Sequence, residues 1–133
     1  MPVWTKMKND KFILVYEICG PENCNVYYKI SPDGINWPVG LGTEIPDQLG
    51  GPYVLSLTDG RLIVTSNAGN ISISEDFGRN WKISDRPWAK MLWGSLYQVG
   101  SNRIISASSI ARPEGGHEVG LKMGGLRELP KKN

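Results

Sequence analysis

The stretch Ser74-Glu75-Asp76-Phe77-Gly78-Arg79-Asn80-Trp81 decides how this chain is read. A near copy, Ser31-Pro32-Asp33-Gly34-Ile35-Asn36-Trp37, stands earlier and is one residue shorter before the glycine. In both copies the tryptophan falls three residues after the glycine, and Asp33 and Asp76 are 43 residues apart. A period of that size belongs to blade-type repeats. The chemistry of the motif predicts a tight, closed turn. An aspartate can accept hydrogen bonds from backbone N–H groups a few residues on. Glycine supplies a positive φ that other residues resist, and the tryptophan buries a large ring against neighbouring strands. The alternative is two unrelated polar turns that each precede a tryptophan.

Working outward, three modules overlay. The first opens with Pro2 to Met7, turns at Asn9-Asp10 and continues from Lys11 to Tyr16. The second opens with Pro52 to Leu57, turns at Asp59-Gly60 and continues from Arg61 to Thr65. The third opens with Gly94 to Val99, turns at Gly100 to Asn102 and continues from Arg103 to Ala107. Each reads as a strand, a hairpin turn and a second, more apolar strand. An unbroken apolar run predicts a strand covered on both faces. Third strands are expected at 25–30, 70–73 and 117–122, and outer strands near 42–45 and 82–84. The third module has no second turn motif and no clear fourth strand. Four antiparallel strands per unit make a propeller blade. The expected fold is therefore all-β, a partial, three-blade propeller of the six-bladed type. Blade one spans 1–46, blade two 47–87, and blade three, incomplete, 88–133. The N-terminus begins where a blade begins, and the ending looks like a propeller's end. The expectation is the C-terminal half of a larger ring, which needs either its missing half or an oligomeric partner.

Composition agrees. The chain has 133 residues, 16 glycines, 9 prolines and a net charge of +2 with both signs dispersed. That charge pattern argues against nucleic acid as the main partner. No stretch is apolar for long enough to cross a membrane, and the first residues lack signal-peptide shape. Cys19 and Cys24 are the only cysteines. A disulfide in a strand-to-strand loop is the favoured reading and implies an oxidising compartment; two free thiols are the alternative. With one histidine, His117, a metal site is not expected, and no cofactor is expected.

The two aspartate–glycine–tryptophan stretches resemble the Asp-box of the sialidase superfamily, and the resemblance runs from about Met1 to about Leu121. It implies a propeller and says little of activity. The turn motifs follow third strands, so they fall at the end opposite the loops after strands two and four. That opposite end collects Glu17, Asp47, Gln48, Asn67, Arg86, Trp88, Trp93, Arg112, Glu114 and His117. Carboxylates with flat rings suit a carbohydrate ligand. Glu17, at the end of an apolar strand, is the candidate general acid, with a pKa raised by burial beside Tyr16 and Ile18; pairing with a lysine is its alternative. A second carboxylate is needed, and Glu114 and Asp47 are the candidates by topology. His117 donates to a sugar hydroxyl or serves structure, and Arg112 binds a carboxylate or sits on the surface. Trp88 and Trp93 pack between blades or form sugar platforms.

The run Val15-Tyr-Glu-Ile-Cys-Gly20, then Cys24 to Gly34, looks like family 93 glycoside hydrolases and related secreted proteins. The resemblance implies six blades and retaining release of arabinobiose from the ends of linear α-1,5-arabinan by two glutamates. Glu17 matches the second, the acid/base. The nucleophile belongs to an earlier blade and has no counterpart here, so the chain alone is expected to be inactive. A sialidase would need three arginines and a Tyr–Glu nucleophile pair, and only Arg86 and Arg112 fall on the appropriate face. The rival expectation is a non-catalytic propeller module that binds glycan or protein.

Overall fold

The computed structural model describes residues 1–84 and 92–126, with Leu92 and Trp93 described by backbone alone. Among the described residues, eleven strands form three antiparallel sheets in chain order. The first holds β1 (Val3–Lys6), β2 (Phe12–Cys19), β3 (Cys24–Ser31) and β4 (Thr43–Leu49). The second holds β5 (Tyr53–Ser56), β6 (Leu62–Thr65), β7 (Ile71–Ser74) and β8 (Lys82–Ile83). The third holds β9 (Leu92–Val99), β10 (Arg103–Ala111) and β11 (His117–Gly125). Among the described residues there is no α-helix, and no helix is long and apolar enough to cross a membrane.

Each sheet is a meander, so each strand pairs with the one before it. The first two hairpins close identically. Met7 N–H donates to Lys11 and Leu57 N–H to Arg61, while Asp10 and Gly60 donate back to Met7 and Leu57. Both turns need a left-handed residue, supplied by Gly60 in one and by Asp10, at φ 66°, in the other. Glycine adopts that region without a Cβ clash, whereas aspartate carries some strain.

The sheets pack face to face, with β1 against β5 and β5 against β9. Between the first and second sheets lie Ile13, Val15, Val26 and Ile45 on one side and Val54, Leu62 and Val64 on the other. Ile63, Ile71 and Ile73 meet Leu96, Ile104 and Leu126 between the second and third. All four residues of β6 are buried, as its unbroken apolar run predicts. In β2 and β10, burial alternates instead. Those two strands are covered on one face only, because among the described residues the first and third sheets each lack a neighbour on one side.

Several strands run past their expected ends. β2 reaches Cys19 and β3 begins at Cys24, leaving 20–23 as the loop. β10 continues to Ala111, and β4 runs through Pro46 to Leu49 where a link was expected. The ladders persist through polar residues after the apolar run has stopped. Pro46 is tolerated because β4 is an edge strand, with no partner on its far side among the described residues. A register shift between Asn25 and Tyr27, with Asp47 at φ 62°, accommodates the extra chain.

Candidate functional site

The two turn motifs fold as matched corners after β3 and β7. In the first, Asp33 Oδ1 accepts from the N–H groups of Ile35 (2.9 Å) and Asn36 (2.8 Å), and Oδ2 from Asn36 Nδ2 (2.6 Å). In the second, Asp76 Oδ1 accepts from Asn80 N–H (2.9 Å) and Oδ2 from Asn80 Nδ2 (2.6 Å). Ser31 Oγ accepts from Gly34 N–H (2.9 Å), and Ser74 Oγ from Gly78 N–H (2.8 Å). Gly34 and Gly78 both have positive φ, near 80°. Bonds from Asn36 N–H, its amide and Ile35 N–H hold the Asp33 carboxyl far below its ordinary range. Burial pushes Asp76 upward, but the bonds from Asn80 and Ser74 outweigh it and the net direction is down. Both carboxylates are committed to closing the backbone and are not free for chemistry.

Their tryptophans differ in surroundings. Trp81 packs between the first two sheets, its ring edge-on to Tyr28 at 5.7 Å, with a buried indole N–H that has no acceptor. Trp37 turns its N–H to Gly34 O at 3.0 Å and faces an open groove.

Glu17 lies in β2, opposite Val26. Its Oε1 meets the Met1 ammonium at 2.9 Å and its Oε2 accepts from Gly51 N–H at 2.7 Å. The ammonium hydrogen bond is the largest influence on its pKa. Burial opposes it, Gly51 N–H and the ammonium charge add to it, and the net direction is down. The expectation of a raised value is therefore corrected. Burial does raise it, but the donors to the ionised form win. The alternative pairing with a lysine is replaced by the chain's own amino group.

Around this carboxylate the loops interlock. Gly50 N–H donates to Cys24 O (2.8 Å), and Asn67 N–H donates to Gly50 O (3.1 Å). Gly50 and Gly51 both have positive φ. A Cβ on Gly50 would meet Asn67 Nδ2 at 3.1 Å and one on Gly51 would meet Asn67 Oδ1 at 3.0 Å, so the loop approaches Asn67 as only glycine allows. Asn67 Oδ1 is buried with no partner. The structure thus brings Glu17 and Asn67 together across the first two sheets. The glycine pair between them was missed in the sequence reading; the doublet Gly50-Gly51 was the available signal.

Cys19 and Cys24 face each other across β2 and β3 and form a disulfide. Their sulfurs lie near the Glu17 carboxylate. Bonded to each other, they offer no thiolate to a metal ion.

Gln48, expected on the site rim, is instead fully buried. Its Nε2 donates to Ser72 Oγ at 2.9 Å and to Asn70 Oδ1, and its Oε1 accepts from Ser66 Oγ. Ser66 Oγ in turn accepts from Leu49 N–H (3.1 Å) and Ala68 N–H (3.2 Å). This polar joint stitches β4 to the second sheet and is structural. Asp47 contributes its carbonyl to Asn70 Nδ2 (3.2 Å).

Arg112, Glu114 and His117 belong to the exposed β10–β11 hairpin. Arg112 Nε donates to Glu118 Oε2 at 3.2 Å, and His117 Nδ1 meets Ser109 Oγ at 2.9 Å. These contacts are local to the third sheet, and none of the three is a hydrogen-bond partner of Glu17. Arg86 and Trp88 lie outside the described residues; Trp93 lies in β9, with its side chain outside them.

No protein-family profile matches the chain, and no curated protein matches it. A solved structure, a protein of unknown function from Dyadobacter fermentans DSM 18053, superposes with a TM-score of 0.65 at 16% identity. The match covers 92% of this chain and 50% of that one, so the chain spans about half the length of that protein. The likeness shows the all-β fold.

Proposed function

We propose that the chain is half of a β-propeller of sialidase-superfamily type, and that the end carrying Glu17, Asn67 and the Gly50-Gly51 turn receives carbohydrate. Support for the radial array comes from three successive meanders packed face to face with their first strands adjacent. The repeated corners after β3 and β7 support it further. As it stands, this half binds rather than hydrolyses. The observation that carries this is Glu17, whose Oε2 accepts from Gly51 N–H across the Gly50-Gly51 turn from Asn67. A general acid must be protonated at working pH, and a backbone donor fixed on the carboxylate favours the anion. A fixed carboxylate beside Asn67 is suited to accepting hydrogen bonds from sugar hydroxyls. The rim of Arg112, Glu114 and His117 would extend the same end.

The second reading is the retaining, exo-arabinanase-like hydrolase, realised once the ring is complete. Glu17 would then protonate the leaving oxygen and later activate water, with the nucleophile supplied from outside this chain. Its position at the end of β2, beside an unpaired Asn67 Oδ1, favours that assignment. The disulfide supports an oxidising, extracellular compartment for the parent protein.

Titration with linear arabino-oligosaccharides and with sialyl-oligosaccharides, followed by amide chemical shifts, tests both readings. The binding reading expects saturable shifts at Gly51 and Asn67 and no release of sugar. Absence of shifts at millimolar sugar would refute it. Release abolished by Glu17→Gln would replace it with the hydrolase.

A further inference from the structure

The two ends of the three-sheet stack are complementary, and internal repetition shows how. Leu62 stands opposite Ser74 as Phe12 stands opposite Ser31, and Val54 pairs Val64 as Trp4 pairs Leu14. Gly78 and Trp81 match Gly34 and Trp37. In the second sheet this set is the face seated on the first sheet: Val54, Leu62, Val64 and Trp81 pack there, and a Gly78 Cβ would meet Ile13 at 3.2 Å. In the first sheet the same positions, Trp4, Phe12, Leu14, Gly34 and Trp37, line an open groove of about 370 Å³ together with Asp33 and Ile35. Trp4 is 64% exposed and Ile35 83%.

The receiving face is left open at the other end. Ile13 and Ile63 are each buried under the following sheet. Their counterpart Ile105 stands opposite Met123 and Tyr97. Leu121 and Val119 follow on the same face, 70% and 78% exposed. Apolar surface on this scale marks an interaction site.

We infer that a second copy of this chain covers both faces, head to tail. The inserting face of each first sheet seats on the receiving face of the partner's third sheet, as the second sheet seats on the first within the chain. The pairing rests on the propeller reading. Three sheets of a six-membered ring span half a turn, so two copies joined by two identical heterologous contacts close with twofold symmetry.

Light scattering and sedimentation equilibrium on the 133-residue chain test the pairing. The expected mass is twice the 14.7 kDa of one chain. Trp4 stands where Val54 is buried in the second sheet, so Trp4→Lys and Leu121→Lys each place an unpaired ammonium in both contacts, and each should raise the dimer dissociation constant at least about tenfold. Both sites are exposed within one chain, so far-ultraviolet circular dichroism should show an unchanged fold. Mixing the two variants leaves one contact intact, and the mixture should dimerise more tightly than either variant alone. Monomer at tens of micromolar, an effect from only one variant, or a ladder of open assemblies would each overturn the pairing. A monomer that keeps the contact between Trp81 and Tyr28 would sink the pairing alone; loss of that contact would sink the array as well.

Discussion

Replacing Gln48 probes the joint between the first and second sheets. Leucine has similar volume, so Gln48→Leu removes hydrogen bonds while leaving little cavity. Ser66 and Ser72 are both fully buried, and each loses its partner on Gln48. Asn70 also loses a donor, but it is partly exposed and water replaces it. Two buried orphans at about 1–3 kcal/mol each give a gross cost of about 2–6 kcal/mol. Leucine's greater hydrophobicity offsets part of this, so the net expectation is about 3 kcal/mol. The double variant Gln48→Leu, Ser72→Ala removes one orphan with its partner and keeps Ser66 Oγ as acceptor for Leu49 and Ala68 N–H, so it should recover about 1 kcal/mol or more, because an unmet hydrogen bond costs more than an absent one. Urea unfolding followed by tryptophan fluorescence reads both. A Gln48→Leu cost below about 1 kcal/mol, or a double variant no better than the single, would refute the inferred joint.

Four other outcomes follow from the geometry. Asp10→Gly relieves a left-handed aspartate and, despite losing an exposed ion pair to Lys6, should stabilise by up to about 1 kcal/mol in urea melts. Glu17 has a lowered folded pKa, so its contribution is fully present above the unfolded value near 4.5 and is lost as pH falls through the folded one. The stability–pH curve of Glu17→Gln should accordingly be flatter below about pH 4.5 than that of the parent. Breaking the disulfide with Cys19→Ser and Cys24→Ser should cost about 2 kcal/mol, the loop-closure value for so short a loop, measured under non-reducing conditions. Gly42 has φ 85°, and a Cβ there would lie 2.6 Å from Tyr28 O. Gly42→Ala should lower the melting temperature by several degrees, about 2 kcal/mol or more, with the loss seen by calorimetry.

Much of the fold was legible because turn chemistry repeats. The Asp59-Gly60 and Asn9-Asp10 turns located two hairpins, and the paired corners located the ends of β3 and β7. Strand ends were less legible, since Glu17 to Cys19 and Pro46 to Leu49 carry ladder bonds without an apolar pattern. Coverage of β2 and β10 on one face could not be read from composition, because Phe12 and Leu14 are as apolar as Leu62 and Val64. Of the site, the sequence placed Glu17 and Asn67 at one end. It could not show that Gly51 and an ammonium would lower the glutamate's pKa, since those contacts join residues 34 and 16 positions away. Gln48 was misplaced because a polar residue between Asp47 and Leu49 reads as surface until its buried partners are seen.

The central claim is that one packing operation repeats from sheet to sheet, with the second corner seated on the first sheet. Cross-sheet nuclear Overhauser effects measure this directly. Contacts from the Trp81 ring to Tyr28, and from Gly78 to Ile13, are expected in the folded protein. A folded protein with its meanders intact but neither contact present would contradict it.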